Sequence, residues 1–77
     1  MKAELYSALR IISTQNTAVR LNIGRSTLYD WLDPRSKNYK SDLPKPVRHG
    51  SSVGFIEREI DDYILGLMAA RSDRAEN

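Results

Sequence analysis

The stretch from Thr17 to Leu32, TAVRLNIGRSTLYDWL, joins two short amphipathic runs through Asn22-Ile23-Gly24, and this junction constrains the fold more than any other feature of the chain. Ala18, Val19 and Leu21 supply the apolar positions of a first short helix. Ser13 or Thr14 caps it, because a hydroxyl can accept a hydrogen bond from the unpaired amides of a first turn. Asn22 tolerates the left-handed conformation that ends many helices. Ile23 can plug the corner, Gly24 relaxes the backbone, and Ser26 can cap a second helix that turns Leu28, Trp31 and Leu32 inward. Arg25, Thr27, Tyr29 and Asp30 then face outward. Asp33-Pro34 stops this helix, since a residue before proline is biased away from helical angles.

On either side the pattern is simpler. Leu9-Arg10-Ile11-Ile12 is apolar and partly β-branched, which favours a short extended segment entering the core. Residues 33–46, DPRSKNYKSDLPKP, form a polar connection in which prolines at 44 and 46 disfavour helix. Pro46-Val47-Arg48 and Val53-Gly54-Phe55 flank His49-Gly50-Ser51-Ser52, predicting a small β-hairpin with a four-residue loop. Ile56, Ile60, Tyr63, Ile64, Leu67 and Met68 follow the spacing of a helix packed on one side, the strongest periodic signal in the sequence. Glu57, Glu59, Asp61 and Asp62 crowd its first turns, where the helix dipole favours them. The expectation is one domain over residues 9–70, mainly α with a small β-hairpin, with residues 1–8 and 71–77 as flexible or frayed ends.

Composition narrows the function. A chain of 77 residues builds one thin core and no deep cleft between lobes, which argues against an enzyme. Without cysteine there is neither a disulfide nor a thiolate metal site, and the lone His49 has no partner constellation for metal binding or catalysis; no metal and no cofactor is expected. The acidic residues at 57–62 lack the alternating ligands and glycine of a calcium loop, so they read as a solvated helix face. No apolar run approaches the roughly 20 residues that span a bilayer, and the N-terminus lacks a signal peptide's apolar core, so the chain reads as cytoplasmic. Charge is uneven: residues 1–56 hold nine Lys/Arg and four Asp/Glu, residues 57–77 three and six. A basic body with an acidic C-terminal segment suits one face to a polyanion and keeps the other away from it, although ordinary solvated charge is the plainer account.

A helix-turn-helix needs a small residue where the helices cross, a turn residue with an unusual backbone angle, and apolar residues that lock the second helix. Ala18, Asn22, Ile23 and Leu28 fall in that spacing, which resembles the helix-turn-helix of phage repressors with Asn where glycine is commonest. An αα-hairpin with no DNA to bind has the same skeleton. The exposed chemistry favours DNA: Arg25 can make bidentate contacts to guanine or phosphate, Ser26 and Thr27 can meet phosphate oxygens or base edges, and Tyr29 can reach the backbone. Asp30 would repel phosphate unless it pairs with a neighbour such as Arg25 or meets a cytosine amine. Lys45, Arg48, His49, Ser51 and Ser52 suit a wing that touches the DNA backbone or minor groove, and equally a solvated hairpin tip.

Three blocks in order, GRSTLYDWL at 24–32, LPKPVRHG at 43–50 and VGFIEREIDDYI at 53–64, resemble the AlpA-type regulators, small winged-helix modules related to the MerR DNA-binding domain and to phage excisionases. The resemblance implies a winged helix-turn-helix, a non-enzymatic, sequence-specific DNA-binding protein of a mobile element or prophage. Its role would be excisionase (recombination directionality factor), transcriptional regulator, or both. It implies a recognition helix carrying Arg25, Ser26, Thr27 and Tyr29 and a wing region carrying Lys45, Arg48, His49 and Ser51. The connection at 33–42 is longer than the stretch usual before Pro-Lys-Pro, so Lys37, Tyr39 and Lys40 are either extra DNA contacts or part of a mobile loop. Double-stranded DNA is the expected partner, with an integrase or further copies of the chain beside it. The rival expectation is a protein-interaction module whose 56–68 helix docks an integrase or transcription partner.

Overall fold

The computed structural model describes residues 9–75, so the expectation for residues 1–8 lies outside the described residues. Strand β1 (Ile11–Ser13) leads directly into helix α1 (Thr14–Leu21), and a three-residue turn, Asn22-Ile23-Gly24, leads to helix α2 (Arg25–Leu32). After the connection, β2 (Val47–His49) and β3 (Ser52–Ile56) form a hairpin, and helix α3 (Glu57–Ala75) closes the order. The architecture is a winged helix-turn-helix on a three-stranded antiparallel sheet of order β1-β3-β2.

Local chemistry explains the helix-turn-helix. Ser13 caps α1, its Oγ accepting from the Asn16 amide at 3.0 Å. Asn22 ends the helix at φ 59°, ψ 44°, the single positive φ among the described non-glycine residues. Its amide donates to the Val19 carbonyl and the Ile23 amide to the Ala18 carbonyl, both at 3.0 Å, which satisfies carbonyls that a helix end leaves free. Gly24, not Ser26, is the N-cap of α2; it is extended and offers no side-chain cap bond. Arg25 is already helical, so Ser26 lies inside the first turn with its hydroxyl uncommitted to capping.

The core is Ala18, Leu28, Leu43, Phe55 and Ile60, ringed by Ile12, Leu21, Ile23, Trp31, Leu32, Tyr63 and Ile64. Thr17 is fully buried and satisfied, its hydroxyl donating to the Ser13 carbonyl at 2.9 Å. By taking the inward position it sends Val19, two residues on and so on the opposite side of the helix, into solvent, against the expectation for Val19. Leu43 is buried from within the connection that the sequence presents as polar.

Three further boundaries differ from expectation. The Leu9–Ile12 segment is more than an extended entry to the core: β1 pairs with β3, Ile12 opposite Phe55 and Ser13 opposite Gly54. The hairpin loop is two residues, because His49 pairs with Ser52 and Gly50 takes a positive φ of 62° at the first central position, where such short loops want glycine. Ile56 ends β3 rather than starting α3, and the Glu57 amide donates to the Arg10 carbonyl at 2.7 Å, fastening the helix start to the sheet. Ile60, Tyr63 and Ile64 pack as the stripe predicts, but Leu67 and Met68 are exposed because α3 overruns the body; the helix continues to Ala75, and residues 76–77 of the expected C-terminal end lie outside the described residues.

Candidate nucleic-acid interface

Helix α2 presents Arg25, Ser26 and Tyr29 to solvent while Leu28, on the other side, is wholly buried. The Arg25 guanidinium carbon lies 6.0 Å from the centre of the Tyr29 ring, one turn away, so cation and aromatic form one exposed surface. Thr27 is half-buried and stands apart from that face. A helix carrying this face is held at its start by the Asn22 turn, at its middle by Leu28 in the core and near its end by the Lys40 amide on the Trp31 carbonyl, and so offers its donors in a fixed orientation.

Asp30 resolves differently from either expectation. Its Oδ1 accepts from the Ser36 hydroxyl at 2.5 Å and its Oδ2 from the Asn38 side-chain amide at 2.7 Å. The Ser36 hydrogen bond, then that of Asn38, holds this carboxyl below the usual carboxylate range, with the Lys37 charge adding a smaller push. Asp33 is lowered too, chiefly because its Oδ1 accepts from the Arg35 backbone amide at 2.9 Å. Both acids at the C-terminal end of α2 are therefore ionised and occupied by protein donors.

The connection is folded back onto α2. The Lys40 amide donates to the Trp31 carbonyl at 2.9 Å, and the Lys40 ammonium lies 4.8 Å from the Trp31 ring centre. Farther on, the Lys45 ammonium lies 3.5 Å from the Tyr39 hydroxyl and 6.0 Å from its ring centre. Lys37 and Lys40 are exposed. Ser36 and Asn38, which fasten this loop, were missed by sequence reasoning; the signal available was their type, since Ser, Asn and Asp bond nearby backbone and fix turns.

At the hairpin, Arg48, His49 and Ser51 are all exposed. Arg48 pairs with Val53, two residues before Phe55, so by strand alternation Arg48 points to the sheet face that carries Phe55 and the helices. His49 points to the opposite face. The structure thus brings Arg25, Ser26 and Tyr29 onto one helix face and Lys40 and Lys45 onto aromatic rings, while the wing residues stand on a separate element joined through the Phe55 core.

Acid is concentrated elsewhere. A groove beside β2 is lined by Asp42, Glu59 and Asp62 together with Lys45 and Tyr63, where burial, and secondly the Asp42 charge, pushes the phenol up. Among the described residues no group of three His, Cys, Asp or Glu is placed to hold a metal ion, and no helix is long and apolar enough to cross a membrane.

Residues 10–66 match the family described as prophage CP4-57 regulatory protein (AlpA). The chain is 41% identical over 59 residues to the DNA-binding transcriptional activator AlpA of Escherichia coli (strain K12), which covers 75% of this chain and 84% of that protein. No solved structure matches the chain. The matched span runs from β1 to the middle of α3 and includes every element of the winged helix-turn-helix, so this chain belongs to the AlpA family of prophage regulatory proteins.

Proposed function

We propose that the protein is a non-enzymatic, sequence-specific DNA-binding regulator of a prophage or similar mobile element, acting from the cytoplasm on the nucleoid. The observation that carries this reading is the outward Arg25, Ser26 and Tyr29 face on a helix locked by the Asn22 turn. Helix α2 enters the major groove, where Arg25 can grip guanine O6 and N7 and Ser26 can meet a base edge or phosphate. Thr27 contributes from the groove wall, and Tyr29 meets the backbone. The hairpin tip, with Arg48, His49 and Ser51, and the cations Lys37, Lys40 and Lys45 add phosphate contacts. The likeness to a DNA-binding transcriptional activator supports transcription control, and the same grip on repeated sites suits a recombination directionality factor that assists an integrase. One module over residues 9–70 has limited contact area, so several copies or a partner complete the specific complex.

A second reading has its own observation: Leu65, Leu67 and Met68 are exposed on the overrunning part of α3, as a partner-docking helix would present them. The test is a titration against labelled fragments of the element's attachment site and nearest promoter with random competitor DNA. Wild-type protein is expected to resist competitor at one or both sites, and Arg25→Ala to lose that resistance while keeping its fold. Binding at the attachment site marks excision control; binding confined to the promoter marks transcription control. If Arg25→Ala keeps wild-type selectivity, α2 is not the reading element and the protein-docking reading takes precedence.

A further inference from the structure

We infer that Asp30 is a positioning residue for DNA binding, latching the 34–40 loop beside α2 so that Arg35, Lys37 and Lys40 form a phosphate-gripping flank of the recognition helix. This rests on the DNA-binding reading above and goes beyond it by giving an acidic residue a part in binding a polyanion.

Four contacts make the latch. Two are the Asp30 bonds to Ser36 at 2.5 Å and Asn38 at 2.7 Å. A third is internal, the Asn38 amide donating to Ser36 Oγ at 3.0 Å, so the hydroxyl that meets Asp30 also fixes the loop's own backbone. The fourth is the Lys40 amide on the Trp31 carbonyl at 2.9 Å. Turn bonds from Ser36 to Asp33 at 2.9 Å and from Tyr39 to Ser36 at 3.1 Å complete the path. The connection is thus tied to α2 at two successive residues, one by side chain and one by backbone.

Placement follows from helix geometry. Asp30 is one turn beyond Ser26 and adjacent to Tyr29, so the latch lies along the edge of the exposed face. The loop carries three cations and no carboxylate, and the neighbouring Asp33 carboxylate accepts from the Arg35 backbone amide at 2.9 Å and from Arg35 Nε at 3.4 Å. The Arg35 side chain is 91% exposed, and Lys37 and Lys40 are exposed as well. Among the described residues neither lysine has a carboxylate partner, and Lys40 is steadied instead by the Trp31 ring. Holding these cations in place removes an ordering cost that a slack loop would meet on binding DNA.

The sign of one substitution separates this from simple electrostatics. Removing an acid from a protein that binds a polyanion ordinarily strengthens binding. Asp30→Ala is expected instead to weaken it by about tenfold and to make the slope of log K against log salt shallower by about 2, the loss of two phosphate contacts. Asn38→Ala changes no charge, lies on the exposed loop outside the helix, and is expected to shift both readouts the same way by a smaller amount. The assay uses the duplex bound by the wild-type protein, random competitor and four salt concentrations. Equal or tighter binding by Asp30→Ala with an unchanged slope overturns the inference. So does a changed preference at one base pair with an unchanged slope, which would make Asp30 a base reader. If Asp30→Ala does not fold, Asn38→Ala decides: wild-type affinity and slope overturn the latch. Absence of competitor-resistant binding by the wild-type protein sinks the DNA-binding reading itself, and the latch with it.

Discussion

Arg20 Nη2 lies 2.5 Å from Asp61 Oδ1, an ion pair that joins the last turn of α1 to the second turn of α3. The same guanidinium reaches Glu57 Oε2 at 3.4 Å, and Glu57 lies 3.9 Å from Arg10. The acids that the sequence presents as a solvated face favoured by the helix dipole thus also hold the helix-turn-helix against α3, and Arg20 favourably faces the negative end of its own helix.

The side chains of Arg20 and Asp61 are 36% and 48% exposed, so solvent screens the pair. Arg20→Ala is expected to cost about 1 kcal/mol, which in a domain of this size lowers Tm by about 4–8 °C. Thermal melts at low salt and at 1 M salt check this, because screening should shrink the difference between wild type and variant. A Tm difference that does not respond to salt would assign the loss to packing of the arginine stem.

Gly54 sits in the middle strand with partners on both sides. A Cβ there would lie 2.6 Å from Ile11 Cγ2 and 2.6 Å from the Ile12 carbonyl oxygen. The side chain can give way and the paired backbone cannot. Gly54→Ala is expected to destabilise by about 2–3 kcal/mol, the cost of overpacking. Adding Ile11→Ala should recover only part of that loss in denaturant unfolding; full recovery would place the strain on the side chain alone.

Leu43 is 3% exposed and belongs to the core although it stands between Asp42 and Pro44. Leu43→Ala is expected to cost about 2–4 kcal/mol by leaving a cavity under the connection. A loss below 1 kcal/mol in chemical denaturation would mean that the segment collapses onto the gap.

The contrast between Leu43 and Leu28 shows what was legible. Leu28 falls in a helical period beside a capped turn, so its burial and the exposure of Arg25 and Tyr29 could be read from spacing, whereas Thr27 and Asp30, expected outward with them, are half-buried. Leu43 is a single apolar residue among turn formers, and no period marks it. The pairing of β1 with β3 joins residues more than 40 apart in a strand of three, which carries too little alternation to announce a partner. Val19 was misread because a buried threonine competed for its place, and Leu67 and Met68 because periodicity reports a face and not whether the body extends far enough to cover it. Asp30 was recognised as needing a partner, but the partners lay in a connection whose folding depends on the helix it follows.

Two arginines on different elements should fail differently. Arg25→Ala, on the face of α2, is expected to cost about 1–3 kcal/mol at the specific site and to relax discrimination there. Arg48→Ala, on the wing, is expected to weaken specific and random duplexes alike and to reduce the salt slope by about 1. Competition titrations with both variants measure the two effects together. The same loss of selectivity from both would place Arg48 on a base edge instead of a phosphate.

The Asp30 carboxyl supplies a pH signature. Its folded-state value is depressed, by the Ser36 bond first and the Asn38 bond second. A depressed carboxylate contributes stability that is fully present above its unfolded value and is lost as pH falls through the folded one. The loop is therefore fastened throughout the neutral range and is released only on acidification below the ordinary carboxylate range. Carboxyl carbon shifts followed by NMR should place the Asp30 midpoint below 3.8, and Asn38→Ala should move it upward. An Asp30 midpoint identical in both proteins would remove the Asn38 bond as a cause of the shift, leaving Ser36 to hold the carboxylate alone.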